Sequence, residues 1–416
     1  MPNYKRLKLA CYTSNITMAA VGNISPLLFL TFHRLYGISY SLLGTLVLIN
    51  FFTQLIIDLI FSFFSHKFNI TLTVRLMPVI AAAGLILYAA APFIFPNAVY
   101  LGISLGIVVS SVASGLAEVL ISPVIAEIPA ENPDREMSKL HSVYAWGVVG
   151  VVIVATLFLL AFGQEYWQLL PLIFAAIPIC SALLFFSTKV PTLKTPEKTV
   201  GALEFLKNRG VWLCVFAIFL GGASECTMAQ WSSSYIEGAL GIPKIWGDVF
   251  GVALFAAALG LGRSLYAKFG KNAPSVLLLC AIGSTVCYLT AAVTPFPVMG
   301  LIACALTGFC TSMLWPGSLI VAADKYPAGG VLIYALMAAG GDLGASVAPQ
   351  LVGIVADTAM LNPKILSWAE KLGLTPDAMG MKIGMLVGML FPLIAIAVYS
   401  VILKTAKHPK QINIKD

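Results

Sequence analysis

Four acidic residues lie where acids are costly. Asp58, Glu118, Glu225 and Asp342 each fall inside a long apolar run, and an ionised carboxylate at mid-bilayer costs roughly 2.5–3.5 kcal/mol even on the most lenient insertion scale. Such a group must face a cavity, hold a proton or meet a cation. Glu118 shares a helical face with Ser111, Ser114, Gly115 and Ser122, because residues three and four apart stack on one side of a helix. That stripe reads as cavity lining, or as an interhelical hydrogen-bond clamp. Glu225 follows Gly221-Gly222 and precedes Gln230, Trp231 and Ser232 to Ser234, and Glu225 and Trp231 line one site only if the glycines let the helix bend. Asp342 shares a face with Ser346, Pro349 and Gly353. It binds, couples, or pairs with Lys325 or Arg263 as a gate, and Asp58, toward the end of its run, reads as a gate. Glu118, Glu225 and Asp342 are therefore the proton-coupling candidates, and Asp58, Arg263 and Lys325 the gating ones.

Tyr144, Trp146, Trp231 and Trp315, with the amides Gln230, Gln350 and Asn15, form the aromatic and amide set that stacks on and hydrogen-bonds to a sugar. Aromatics in membrane proteins also pack and anchor at interfaces. No Lys or Arg lies mid-run, whereas an anionic solute would want one. A neutral or cationic small-molecule solute is expected.

Enzyme chemistry finds little support. Gly102-Ile103-Ser104-Leu105-Gly106 matches the GxSxG of serine hydrolases, yet it is equally a GxxxG packing motif. A nucleophile needs a base within about 3 Å, and only His33 falls on the matching side of the membrane. There is no P-loop pattern to power ATP-driven pumping. The eight cysteines all sit in apolar runs without CxxC spacing or neighbouring histidines, so they read as small hydrophobes. No catalytic residue, metal or cofactor is expected.

The elements that position these groups follow from composition. Hydrophobic residues make up 59% of the 416 and charged ones 10%, against roughly 45–50% and about 25% in soluble domains. Apolar runs of about 20 residues, enough to cross a bilayer, recur at 9–30, 40–64, 76–95, 99–126, 141–162 and 167–187. They return at 211–235, 247–267, 274–293, 298–321, 331–357 and 380–404. Lipid offers no hydrogen-bond partner, so each run must close its own backbone as a helix. Of the 25 Lys and Arg, only Arg34, Lys244, Lys364, Lys371 and Lys382 fall outside the loops that share a side with the termini. The positive-inside rule then places both termini in the cytoplasm. The net charge of +7 is a topology signal and carries no nucleic-acid implication.

The second half echoes the first. Gly115 and Pro123 return as Gly308 and Pro316, Gly147 and Gly150 as Gly341 and Gly344, and Gly37-Ile38 as Gly241-Ile242. Such repeats mark transporters built from duplicated units. The expected all-α architecture is two six-helix bundles, residues 1–187 and 211–416, joined by a cytoplasmic linker at 188–210. An interfacial helix is expected within 361–378, where Ile365, Trp368, Ala369 and Leu372 recur at helical spacing.

With Gly115, Glu118 and Pro123, the run Leu140-His141-Ser142-Val143-Tyr144-Ala145-Trp146-Gly147, and Gly341-Asp342-Leu343-Gly344 with Pro349, the chain resembles the major facilitator superfamily over essentially its whole length. Within it the chain is most similar to the branch of bacterial fucose, galactose and gluconate proton symporters. The turn between the second and third spans lacks the superfamily's acidic signature, and the first span carries Asn15 and Asn23 where fucose-type symporters carry an acid. The resemblance implies a monomeric, multi-pass protein of the cell inner membrane that takes up a neutral polar solute, such as a sugar, with protons. Glu118 would be the coupling acid. A drug or cation/proton antiporter and a non-transporting receptor are the rival readings.

Overall fold

The computed structural model describes residues 4–64, 67–129, 133–191, 207–270, 272–326 and 330–407. Most of the expected linker, at 192–206, lies outside them. Twelve helices are long and apolar enough to span a membrane. They are α1 (Tyr4–Tyr36), α2 (Tyr40–Phe64), α3 (Ile70–Ile94), α4 (Val99–Ala126), α5 (Pro133–Phe162) and α6 (Leu169–Phe186), then α7 (Arg209–Gly238), α8 (spanning over Lys244–Tyr266), α9 (Ala273–Val293), α10 (Pro297–Lys325), α11 (Gly330–Leu361) and α12 (Pro376–Lys407). They form two six-helix bundles, α1–α6 and α7–α12, which meet chiefly where α2 packs along α11 and α5 meets α8.

The repeat is visible in the backbone. Gly37 and Gly241 both turn the chain with φ near +65°, at +64° and +65°, a region that costs other residues a Cβ clash. Asn69 caps α3 by accepting from the Leu72 amide, and Asn272 caps α9 by accepting from the Ser275 amide. The expected interfacial helix forms at Pro363–Leu372, with Ala369 buried and Trp368 and Leu372 exposed.

Two departures from regular helix matter for the site. The segment Gly247–Ala253 is π-helical, and α10 is interrupted between Thr311 and Leu314. Pro316 explains the second, since it has no N–H to give the carbonyl four residues back and its ring clashes with that carbonyl. The Ser312 carbonyl is thereby freed, and the Arg263 Nε fills it at 3.1 Å. The same rule operates in α1. Pro26 frees the Gly22 carbonyl, which accepts from Gln230 Nε2 of α7 at 3.4 Å. In lipid such orphaned carbonyls must be satisfied by neighbouring side chains.

Candidate functional site: a carboxylate cluster between two bundles

Asp58 on α2, Glu118 on α4 and Asp342 on α11 converge. Each presents a carboxylate oxygen, and the three oxygens lie within 4.8 Å of one another. Two come from the first bundle and one from the second. Asp58 and Asp342 are buried, whereas Glu118 is surrounded by protein yet opens to accessible space, as a group on a cavity wall would. Asp58 thus belongs with the carboxyl cluster, beyond the gate reading of its position. Three carboxylates this close cannot all be ionised without a proton or cation among them.

Arg263 is placed differently from its expected role. Its Nη2 donates to both carboxylate oxygens of Glu225, at 3.0 and 3.1 Å, so it pairs with neither Asp58 nor Asp342. Arg263 lies near the end of α8, three residues before Tyr266, yet its long stem carries the guanidinium to Glu225 in the middle of α7, so a cation does reach mid-span although no Lys or Arg lies mid-run. Glu225 consequently has a resident counter-charge. Lys325, the other gating candidate, is exposed at the end of α10 with its ammonium 5.9 Å from the Tyr326 ring centroid. It makes no ion pair to Asp342 among the described residues.

On the side of the molecule away from the chain termini, the bundles are clasped. The Asp357 carboxylate of α11 accepts from the backbone amides of Tyr40, at 3.1 Å, and Ser41, at 2.6 Å, and so caps the start of α2 across the interface. Thr156 Oγ1 of α5 donates to Asp248 at 3.0 Å. Asp248 is itself held by Lys244, at 3.1 Å, and by the Ser233 hydroxyl. Arg34 pairs with Glu237 at 2.8 Å. Trp231 is wedged against Phe29 and Tyr40 of the opposite bundle, with ring centroids 5.1 and 6.1 Å away.

A family model described as Major Facilitator Superfamily matches residues 10–349. The chain belongs to the Major Facilitator Superfamily. Similar solved structures include a bacterial homolog of the human lysosomal transporter Spinster in an inward-facing, occupied conformation, 17% identical, covering 97% of each chain with a TM-score of 0.72. A D-xylose-proton symporter is 15% identical over 94% of this chain and 97% of its own, with a TM-score of 0.72. The E. coli fucose:proton symporter FucP is 16% identical over 94% and 98%, with a TM-score of 0.56. No curated protein sequence matches the chain. Superfamily members move solutes across membranes, and this fold is a transporter's.

Within that transporter fold the other predicted site residues scatter. Asn15 is buried, its amide donating to the Leu140 carbonyl at 2.8 Å, so it ties α1 to α5. Trp231 donates its indole N–H to the Pro349 carbonyl at 2.9 Å and is 1% exposed. α7 runs without a break through the Gly221-Gly222 pair. Those glycines let Leu314 and Gly341 backbone approach closely. Trp231 and Glu225 have separate partners, the Pro349 carbonyl and Arg263.

The serine stripe is also redirected. Ser111 donates to Asn50 Oδ1 at 2.6 Å, and Ser114 faces a small cavity lined by Ser14, Thr17, Met77 and Ala81 of α1 and α3. Trp146 stands 73% exposed. Tyr144 lies within electrostatic range of Glu118, Glu225 and Arg263, and Trp315 packs on Gly222 and Gly341. Gln350 borders Gly44 of α2. Ser104 donates back to the Tyr100 carbonyl at 2.8 Å, while Gly102 and Gly106 admit the backbone of Ala91 and Tyr88. The GxSxG is a packing motif here.

Sequence reasoning missed Asp248 and Asp357 because both sit near span ends. The i,i+4 spacing of Lys244 and Asp248 was a readable signal. The first amides of α2 likewise needed an acceptor from somewhere.

Proposed function

We propose that the protein is a proton-coupled symporter for a neutral polar solute of the sugar class, working by alternating access about the carboxylate cluster. The observation that carries this is the placement of Asp58, Glu118 and Asp342 across the bundle interface, with Glu118 exposed. Glu225 is neutralised by Arg263, which leaves the cluster as the proton carrier and keeps the cavity's one resident arginine occupied. Tyr144, Trp315 and Gln350 are the proposed solute contacts, and Trp231 and Gln230 join the clasp. With 1–187 and 211–416 as the rocking units and both termini cytoplasmic in the cell inner membrane, the clasped side faces outward. That two of the similar structures are sugar:proton symporters supports the solute class.

A cation/proton antiporter is the second reading, favoured by four acids against one arginine at mid-membrane. Purified protein in proteoliposomes tests both. Solute-driven alkalinisation outside supports symport, and acidification supports antiport. Glu118→Gln, which mimics the protonated acid, should keep counterflow exchange and lose proton-driven accumulation. Accumulation by Glu118→Gln against a gradient would remove Glu118 from the proton path.

A further inference from the structure

The carboxylate cluster has a second property that a proton path alone does not require. Both oxygens of Asp58 and Oδ2 of Asp342 are buried and receive no hydrogen bond from a donor group, with the two residues 4% and 3% exposed and their carboxyls within hydrogen-bonding reach of each other. Buried charges are normally paired or coordinate a metal. The ion pairs of α7 and α8 go elsewhere, Arg263 to Glu225 and Lys244 to Asp248, and Arg34 goes to Glu237. Among the described residues no Lys or Arg pairs with the cluster. Tyr144 of α5 lies near Glu118 and Cys226 of α7 near Asp342; neither is a cation, and Arg263, the cation near both, is paired with Glu225.

Three oxygens within 4.8 Å of one another leave a point at most about 2.8 Å from each, at or slightly beyond the roughly 2.3–2.6 Å of oxygen-bound calcium. The geometry points to a monovalent metal-cation site, probed by Na+, formed by Asp58, Glu118 and Asp342. The open face at Glu118 gives the ion an entry path and room for water. Three side-chain oxygens fall short of the six to eight that Ca²⁺ takes, and their three separate helices do not impose the octahedron Mg²⁺ demands. A weakly held ion is also one that can leave. The first two ligands belong to one bundle and Asp342 to the other, so the site is complete only while α2 and α11 stay packed at this level. Bound ion therefore favours the arrangement seen here, since a ligand stabilises whichever state assembles its site. That last step rests on the alternating-access reading; ion binding itself does not.

The test uses full-length protein in nanodiscs with no solute. Melting temperature and tryptophan fluorescence are followed as NaCl replaces choline chloride at constant ionic strength, Trp315 serving as a local reporter because it packs on Gly341 beside Asp342. A saturable Na+ response is expected. It should be lost in Asp58→Asn and Asp342→Asn and kept in Glu165→Gln, an exposed acid elsewhere. Should either aspartate variant fail to fold, Glu118→Gln on the open face should move the Na+ midpoint at least about tenfold upward. Equal responses to Na+ and choline overturn the proposal. So does a Na+ response that survives these cluster variants, or a response to Ca²⁺ or Mg²⁺ alone. Proton-driven solute uptake without any Na+ response would sink the ion site only, whereas a Na+ response without solute transport would sink the symport reading only.

Discussion

The sharpest test of the clasp is Asp357. The amides of Tyr40 and Ser41 open α2, and a helix start has no internal acceptors for its first N–H groups. In the same turn Leu42 and Leu43 donate to Ser39, but Tyr40 and Ser41 donate to Asp357, at 3.1 and 2.6 Å. Replacing a capping acid by Ala costs about 0.5–2 kcal/mol, and hydrogen bonds to a charged group contribute about 1.5–3 kcal/mol. The site is only partly buried, so the overlap of the two ranges, about 2 kcal/mol, applies to Asp357→Ala. Because the cap crosses the bundle interface, that loss falls on the clasped state relative to the opened one. At about 1.4 kcal/mol per tenfold, the clasped-to-open ratio should drop about 30-fold. Asp357→Asn keeps an acceptor and loses the charge, and should shift it about fivefold, near 1 kcal/mol.

Trp231 reports this directly, since its ring leaves Phe29 and Tyr40 when the bundles part. In protein labelled with fluorotryptophan, saturation-transfer ¹⁹F NMR on the Trp231 resonance, assigned with Trp231→Phe, measures the two populations. Arg34→Ala removes a pair with an arginine side chain 51% exposed, worth under about 1 kcal/mol, and so sets the scale for a rim contact. An Asp357→Ala spectrum that matches the parent, or one that moves no further than Arg34→Ala, would refute the capping argument.

Two further outcomes follow from buried groups. Trp231→Phe should lower the melting temperature slightly through loss of the indole hydrogen bond, while Trp231→Ala, which empties a fully buried position, should cost about 3–5 kcal/mol; equal melting of the two would mean the ring is not packed as described. Arg263→Gln should destabilise more than Glu225→Gln, because it strands both the Glu225 charge and the Ser312 carbonyl. An order of roughly 1–3 kcal/mol is expected after discounting for the half-exposed guanidinium, and Glu225→Gln added to Arg263→Gln should restore part of it in a thermal-shift double-mutant cycle.

Much of this architecture was legible in the chain, and the reasons are local. Length and continuity of apolar runs give spans without any tertiary information, and α4 begins and ends at the residues expected. The Gly37 and Gly241 echo was readable because a left-handed turn needs a particular residue. The carboxylate cluster was legible as three separate costly acids, but nothing in helical periodicity says that positions 58, 118 and 342 meet. Periodicity likewise put Ser111 and Ser114 on the Glu118 face, whereas in the fold Ser111 donates to Asn50 of α2 and Ser114 faces a small cavity against α1 and α3. Arg263 was misjudged because a Cα position was read as a charge position, whereas a long stem displaces the charge. One overlooked rule would have helped. A mid-span proline frees a carbonyl four residues back, and at two of them a polar side chain fills it: Gln230 for Gly22 and Arg263 for Ser312.

Those pairings also separate what must stay fixed from what can open. Contacts within a bundle satisfy groups that have no alternative, as Arg263 does for Ser312. Contacts across the interface divide: Gln230 on Gly22 and Asp357 on the Tyr40 and Ser41 amides fill groups with no partner at home, while the others are accessory to groups already satisfied. When the bundles part, Asp248 loses Thr156 but keeps Lys244 and Ser233, and Trp231 loses Phe29 and Tyr40 but keeps the Pro349 carbonyl. Arg34 and Glu237 exchange each other for water at an exposed rim. Asp357 faces water once the start of α2 withdraws. Opening the clasp therefore strands no buried charge, which keeps its cost within reach of a bound solute. The carboxylate cluster is the exception among the described residues: its Asp58 oxygens receive no hydrogen bond from a donor group in either bundle, so the balance between the two states is most sensitive to whatever positive charge, proton or metal ion, sits among Asp58, Glu118 and Asp342.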